Sequence, residues 1–303
     1  MLGRSVSTIS DELKRNRVGG RYDPAKAHHK AYVRRIYATY QGKKIIEHQV
    51  LKKEIDARLM DDQSPVAVAR RITNREKHLP SISKNAIYRY IKSVYGRRIE
   101  NHRLRRKKPW RPKRGSKKSL SERRFIDKRP KYINERSRVG DIEADFIVSG
   151  KSGNGILLTA ADRKSRASFI EQILKVTIPH VHRAFLRIKK RFPEMKTMTT
   201  DNDLLFAHHK ELEKLLKIKI YFCHQYHSWE KGTIENMNGV IRRDIPKGSD
   251  ISQYSKRFIR DTEAKLNRRP MQCLKDRTPQ EVLDVHRKRI QRNKKHRSVG
   301  CSD

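Results

Sequence analysis

Apolar residues recur at two different periods along this chain of 303 residues. Near the start they fall at Val6, Ile9 and Leu13, three and four apart, which is helical spacing. Ser5 or Ser7 can cap that helix. A second helical set is predicted over 47–60, 65–75 and 84–94. Val50, Leu51, Ile55 and Leu59 make the first stripe, and Ile87, Tyr88 and Ile91 mark the third. Ser64-Pro65 reads as a cap followed by proline at the first helical position, and Ser83 as the cap of the helix after it. Two short capped helices joined by a turn match a helix-turn-helix, whose second helix would lie in the major groove of DNA. A generic three-helix bundle gives the same pattern.

From Asp141 onward the period changes to two. Ile142, Ala144, Phe146 and Val148 alternate with Asp141, Glu143, Asp145 and Ile147, as in a strand. Residues 150–155 read as a hairpin turn, with 156–161 and 167–174 as the next two strands. An amphipathic helix follows over 178–191, with Val181, Phe185 and Ile188 on one stripe. A strand at 195–200, a helix at 206–217, a strand at 219–223 and a helix from about 232 to 243 complete the order. Three consecutive strands followed by αβ units predict a mixed sheet with helices on its faces.

Charge narrows the partner. Lys and Arg number 74 against 33 Asp and Glu, a net charge of +41. Such an excess opposes compaction unless a polyanion neutralises it, so nucleic acid is the expected partner and an ordinary metabolic enzyme is disfavoured. The excess is concentrated. Between Asn101 and Lys131 there are 15 Lys and Arg, with Glu122 and Asp127 as the acids, and between His286 and Arg297 there are 7 with none. Pro109, Pro112 and Pro130 oppose a long helix in the first run. Both runs read as solvated arms that track phosphates without reading sequence. No apolar stretch approaches the roughly 18 residues of a membrane span. Cys223, Cys273 and Cys301 are odd in number and widely spaced, which suits a reduced cytoplasmic chain.

Against this basic background three acids stand out by position. Asp145 falls in the middle of the first strand, Asp201 at the end of the fourth, and Glu235 in the first turn of the helix after the fifth. The first and fourth strands of a mixed sheet can be neighbours, so the three carboxylates can converge. A phosphodiester in a polyanion repels water, and two hard divalent cations held by carboxylates can activate the attacking oxygen and stabilise the leaving one. Taken singly, each acid reads equally well as a surface carboxylate paired with a nearby Lys or Arg. Asp141, Glu143, Asp203 and Glu230 are read as such surface decoys. His208, His209, His224 and His227, with Cys223, invite a zinc reading, but no ligand spacing supports it, and packed or surface histidines are expected. Trp229 is expected to pack.

The wording of the motifs goes further. Gly140-Asp-Ile-Glu-Ala-Asp145-Phe-Ile, Thr200-Asp201-Asn202 and the run Tyr226-His-Ser-Trp-Glu-Lys-Gly-Thr-Ile-Glu235-Asn-Met-Asn-Gly-Val-Ile-Arg242 closely resemble the DDE transposases of the family named after insertion sequence thirty. So do Phe206-Ala-His208, Pro246-Lys-Gly-Ser-Asp250, Leu266-Asn-Arg-Arg-Pro270 and Arg277-Thr-Pro-Gln-Glu-Val-Leu283. The likeness covers 140–283 and touches 2–10 and 87–91. It implies an α/β RNase H-like integrase catalytic core, a mixed five-stranded sheet with helices, behind an all-α helix-turn-helix region. Asp145, Asp201 and Glu235 become both catalytic residues and metal ligands, for two Mg2+ that Mn2+ can replace. Arg242, two helical turns beyond Glu235, is placed to hold a DNA-end phosphate. Lys84, Asn85 and Tyr88 are the expected base readers. Asn202 and Asn238 are candidates to orient the carboxylates. Where the family has Gly after Asp-Asn, this chain has Asp203, which puts the local turn in question.

The implied organisation is a helix-turn-helix remnant and linker at 1–46, with its supporting helices missing, and a DNA-binding domain at 47–100. A basic linker at 101–137, the catalytic domain at 138–285 and a basic tail at 286–303 follow. The implied activity is metal-dependent strand cleavage and transfer at terminal inverted repeats. The implied partners are double-stranded element ends and target DNA, and another copy of the chain, since two ends are handled. No membrane is involved, and the implied location is the bacterial cytoplasm at the nucleoid. A structure-selective nuclease of the same fold and a DNA-binding repressor with an inactive core remain as alternatives.

Overall fold

The computed structural model describes residues 3–38, 43–104, 123–150, 153–224 and 227–299. They fall into two compact units, Met1–Arg105 and Arg106–Asp303.

The first unit is all helical: α1 (Val6–Asn16), α2 (Pro24–Ala38), α3 (Lys43–Glu47), α4 (Gln49–Met60), α5 (Pro65–Arg75), α6 (Lys84–Lys92) and α7 (Arg97–Leu104). Three serine caps form as their positions suggest. Ser5, Ser64 and Ser83 accept from the backbone N–H of Thr8, Ala67 and Ala86. The core joins Leu51, Ile55 and Leu59 of α4 to Val68 and Ile72 of α5, Ile87, Tyr90 and Ile91 of α6 and Ile99 of α7. Two members of the expected stripes point outward. Val50 and Tyr88 are exposed, because one position along a helix turns the side chain about 100° away. Tyr90 is buried in their stead and donates its hydroxyl to Asp56 at 2.7 Å. The stretch 16–46 carries two helices that periodicity did not announce, and Ile45 of α3 joins the core of α4–α7. On α1, Val6, Ile9 and Leu13 are all exposed.

The second unit runs through α8 (Lys131–Asn134), β1 (Asp141–Val148), β2 (Ile156–Asp162), β3 (Ser168–Ile173), α9 (Ile178–Arg191), β4 (Thr197–Thr200), α10 (His209–Leu216), β5 (Lys219–Phe222), α11 (Gly232–Asp244), α12 (Lys256–Asn267) and α13 (Pro279–Val299). The strands form one sheet in the order β3-β2-β1-β4-β5. β1, β2 and β3 are an antiparallel meander, while β4 pairs parallel with β1 and β5 parallel with β4. A three-strand meander extended by two crossover strands on the side of β1 is the RNase H-like arrangement, as expected.

Helices cover both faces of the sheet. Ile142, Ala144, Leu158 and Ala160 pack with Val181, Phe185 and Ile188 of α9. Ile147, Leu157 and Ala161 pack with Ile234, Met237 and Ile241 of α11 and Ile259 of α12. The polar positions of β1 therefore do not face water. Asp141 and Glu143 are buried, which corrects the reading of both as surface carboxylates. Strand alternation aims Glu143, Asp145 and Ile147 at the α11 side.

The basic runs differ in what the structure describes. Of the first, 105–122 lie outside the described residues. The second starts inside α13, so at least 286–299 are helical rather than an unstructured tail. Its first basic residue, Arg287, is tied to the core by Glu194 at 2.8 Å and the Arg191 carbonyl at 2.9 Å. Among the described residues no helix is long and apolar enough to cross a membrane.

Candidate active site

Asp145 and Asp201 come together because β1 and β4 are neighbours in parallel register, Asp141 opposite Thr197 and Glu143 opposite Thr199. Asp145 lies two residues beyond the last pair on β1, and Asp201 follows the last residue of β4. Between them sits the ammonium of Lys231, 3.0 Å from Asp201 Oδ2 and 3.5 Å from Asp145 Oδ1. Lys231 ends the 3-10 turn Ser228–Lys231 that leads into α11, and its side chain is only 8% exposed. Burial works against its charge, but Asp145 and Asp201 more than offset this, and its pKa is raised.

Glu235 is exposed, one turn into α11. Burial raises its carboxyl pKa, with Lys231 opposing and Asp145 and Glu143 adding to the rise, so all three act on it electrostatically. Lys231, Glu235, Asn238 and Arg242 stand four, three and four residues apart and form one stripe. Asn238 donates its side-chain amide to Asp145 Oδ2 at 3.0 Å. The backbone N–H of Phe146 donates to Asp145 Oδ1 at 2.9 Å. Arg242 is half-buried; burial lowers its pKa and Asp145 opposes the shift. Asp145 itself is raised, first by burial and then by Asp201, against the pull of Lys231. Two acids forced close and partly desolvated bind a cation more readily than separated ones.

Glu143 anchors this arrangement. Its Oε2 accepts from the N–H groups of Thr233 and Ile234, each at 2.9 Å, and its Oε1 meets Arg163 at 2.6 Å. A carboxylate here satisfies two of the unpaired N–H groups at the start of α11 and faces the positive end of its dipole. Arg166 adds a bond to Thr233 Oγ1 at 2.6 Å. The helix that carries Glu235 and Asn238 is thus bolted to the strand that carries Asp145. The sequence offered one clue to Lys231, its place four residues before Glu235. It offered none to Glu143, whose partners are distant in the chain.

The other expected residues divide. Asn238 orients a carboxylate, but Asn202 does not: it accepts from Arg123 and donates to the Cys223 carbonyl. Asp203 has an ordinary φ of −61° and caps the turn Leu204–Phe206 by accepting from Leu205 N–H, so no glycine is required there. Trp229 is 71% exposed, stacked on His227 rather than packed in the core. His208 pairs with Glu211, and His209 lies edge-on to Phe222. Lys84, Asn85 and Tyr88 are in the first unit, exposed on α6.

Known proteins place this chain in a family. No family model matches the chain. Over 288 residues it is 36% identical to the transposase for insertion sequence element IS4351 of Bacteroides fragilis, a match covering 92% of this chain and 86% of that protein. It is 30% identical over 300 residues to transposase InsI for insertion sequence element IS30A of Escherichia coli K12, covering 93% and 76%. The solved catalytic core domain of BIV integrase is 17% identical, covers 50% of this chain and 98% of its own, and superposes with a TM-score of 0.39. On the identity it shares with full-length relatives, the chain belongs to the IS30 family of insertion-sequence transposases.

Proposed function

We propose that this chain cuts and joins DNA strands at the terminal inverted repeats of an insertion sequence, with Asp145, Asp201 and Glu235 as its catalytic carboxylates. The observation that carries the proposal is the meeting of Asp145 and Asp201 around one buried ammonium, where β4 ends beside the middle of the parallel strand β1. The residues suit a hard divalent cation. They are all oxygen donors, and Asn238 Oδ1, beside Asp145, is buried without a hydrogen-bond donor among the described residues. Asp145, Asp201 and Glu235 would hold two Mg2+, or Mn2+ in their place, and these ions would supply positive charge at the scissile phosphate.

The chain's own groups do the rest. Glu143 holds the start of α11 and Asn238 holds Asp145 before DNA arrives, which lowers the reorganisation needed during reaction. Arg242, half-buried on the same stripe, offers a cation to a phosphate of the DNA end. In the first step water attacks a phosphodiester, the bond from phosphorus to the 3′-oxygen breaks, and the element end is left with a 3′-hydroxyl. In the second, that hydroxyl attacks another phosphodiester in line and displaces its 3′-oxygen.

In the first unit, α5 and α6 are read as a helix-turn-helix, with Lys84, Asn85 and Tyr88 at base edges. Double-stranded element ends and target DNA are the partners. Two copies of the chain acting together on two ends, at the bacterial nucleoid, complete the reading. The test is incubation of the protein with end DNA and Mg2+ or Mn2+. Nicked 3′-ends and joined products are expected. Cutting without joining would mean a nuclease, and a mobility shift alone would mean a repressor.

A further inference from the structure

Between β5 and α11 the chain brings together a second set of ligating groups that shares no residue with the catalytic carboxylates. His224 Nδ1 lies 2.9 Å and His227 Nδ1 3.2 Å from the same oxygen, Glu230 Oε1. The three ligand atoms all lie within 4.8 Å of one another. We propose that His224, His227 and Glu230 form a site for a borderline transition-metal ion of the Zn2+ or Co2+ type, with Asp127 orienting His224.

Three observations carry this. The first is spacing. Ligands about 2.0 Å from a tetrahedral ion stand about 3.3 Å apart, so the two measured separations are already near those of a filled site. The second is the outer partner. Nε2 of His224 is 2.8 Å from Asp127 Oδ2. A histidine that ligates through one nitrogen commonly donates the other N–H to a carboxylate, which sets its tautomer and turns its free nitrogen to the ion. Here that nitrogen faces Glu230. The third is that the ligands are held. His224 stacks on Phe125 at 5.4 Å and 10°, and His227 on Trp229 at 4.5 Å and 24°. Glu230 Oε2 is occupied by the backbone N–H of His224 at 2.9 Å, which leaves Oε1 for the ion. The spacing of His224 and His227 alone gave no such signal, since the third ligand is an acid.

The donor types sort the metals. Two imidazoles and a carboxylate suit Zn2+ or Co2+, whereas the all-oxygen set of Asp145, Asp201 and Glu235 suits Mg2+ or Mn2+. Three protein ligands leave a fourth position open to water or a phosphate oxygen. The location gives the site a consequence. Glu230 is followed directly by Lys231, which reaches both catalytic aspartates, so an ion here fixes the turn that delivers Lys231.

The test uses the full-length, metal-stripped protein without DNA, titrated with Co2+ and followed by visible absorption. The expected result is an intense four-coordinate spectrum that saturates at one ion per chain and is displaced by Zn2+. It should be lost in His227→Ala and in Glu230→Gln, and Asp127→Asn should weaken Co2+ by about 10–100-fold. The double variant Asp145→Asn/Asp201→Asn should keep the spectrum. His227 is on the surface, and circular dichroism without metal checks that its variant is folded. Should His227→Ala unfold, the Glu230→Gln titration decides alone. An unchanged spectrum in His227→Ala and Glu230→Gln, or one lost only in the double aspartate variant, would overturn the proposal.

Discussion

Asp145 and Asp201 are 56 residues apart in sequence, the same offset that pairs Asp141 of β1 with Thr197 of β4. The register of two parallel strands therefore carries the two acids to the same level of the sheet. The ladder stops at Glu143 and Thr199, and the space past it is where Lys231 enters. Replacing Asp145, Asp201 or Glu235 by Ala should each abolish cleavage and joining. DNA affinity should stay the same or rise slightly, since a negative charge beside phosphate is lost. Gel assays of nicked and joined products, beside a binding titration, check both halves. An active Glu235→Ala together with an inactive Glu230→Ala would reassign the third carboxylate.

Lys231→Met tests the internal cation. Without the ammonium, Asp145 and Asp201 face each other uncompensated, which should destabilise the second unit by about 1–3 kcal/mol. The lower part of that range is expected, because Asp201 is 41% exposed and screened by water. Mg2+ should raise the melting temperature of the variant more than that of the parent. Equal shifts would mean that Lys231 and the divalent ion do not share a position.

Glu143→Ala removes the anchor of α11 and leaves Arg163 buried without its acid. A broken buried pair costs about 3 kcal/mol or more, which is roughly 6–12 °C in melting temperature for a unit of this size. Cleavage should fall with it, although Glu143 is buried and acts through α11. A variant as stable as the parent would mean that α11 is held by its apolar face alone.

The first unit should show its own acid sensitivity. Glu76 sits between Arg58, at 2.8 and 3.0 Å, and Arg71, at 3.1 Å. Burial pushes its carboxyl up, but the two guanidiniums outweigh burial and its pKa is lowered. A lowered pKa adds stability above the ordinary carboxylate value, and that stability disappears as pH falls through the folded value. The gap in stability between parent and Glu76→Gln should thus be full at pH 7 and close below about pH 4. Thermal unfolding across that range checks the sign.

DNA binding should separate into two parts. Asn85→Ala should reduce the preference for element ends over random DNA by about 1–3 kcal/mol and barely change non-specific affinity. Overall affinity should fall by roughly 10³–10⁵ between 50 and 200 mM salt if six to ten phosphates are neutralised. Deleting 288–303, which spares Arg287 and its bond to Glu194, should flatten that salt dependence. An unchanged slope would remove the end of α13 from the interface.

Much of this protein was legible in its sequence because local rules wrote it. Period two announced β1, the glycines of 150–155 marked the turn after it, period 3.6 announced α4 and α9, and serine caps marked where α1, α5 and α6 begin. Motif wording singled out Asp145, Asp201 and Glu235. What sequence could not supply depends on contacts between distant segments. Glu143 looked like a surface acid because alternation describes a strand with one wet face, and only the docking of α11 and α12 shows that both faces are covered. Lys231 looked like one more cation among 74, and only the pairing of β1 with β4 places two acids around it. Val50 and Tyr88 face outward, and Tyr90 inward, because a small step along a helix changes the face and neighbouring helices decide which face is inside. Residues 286–299 read as a loose basic arm, yet Leu283 in the core and Glu194 on Arg287 hold the start of α13 against the sheet unit. Local sequence sets which elements can form; the burial of a charge, and so its chemistry, is set by what packs over it.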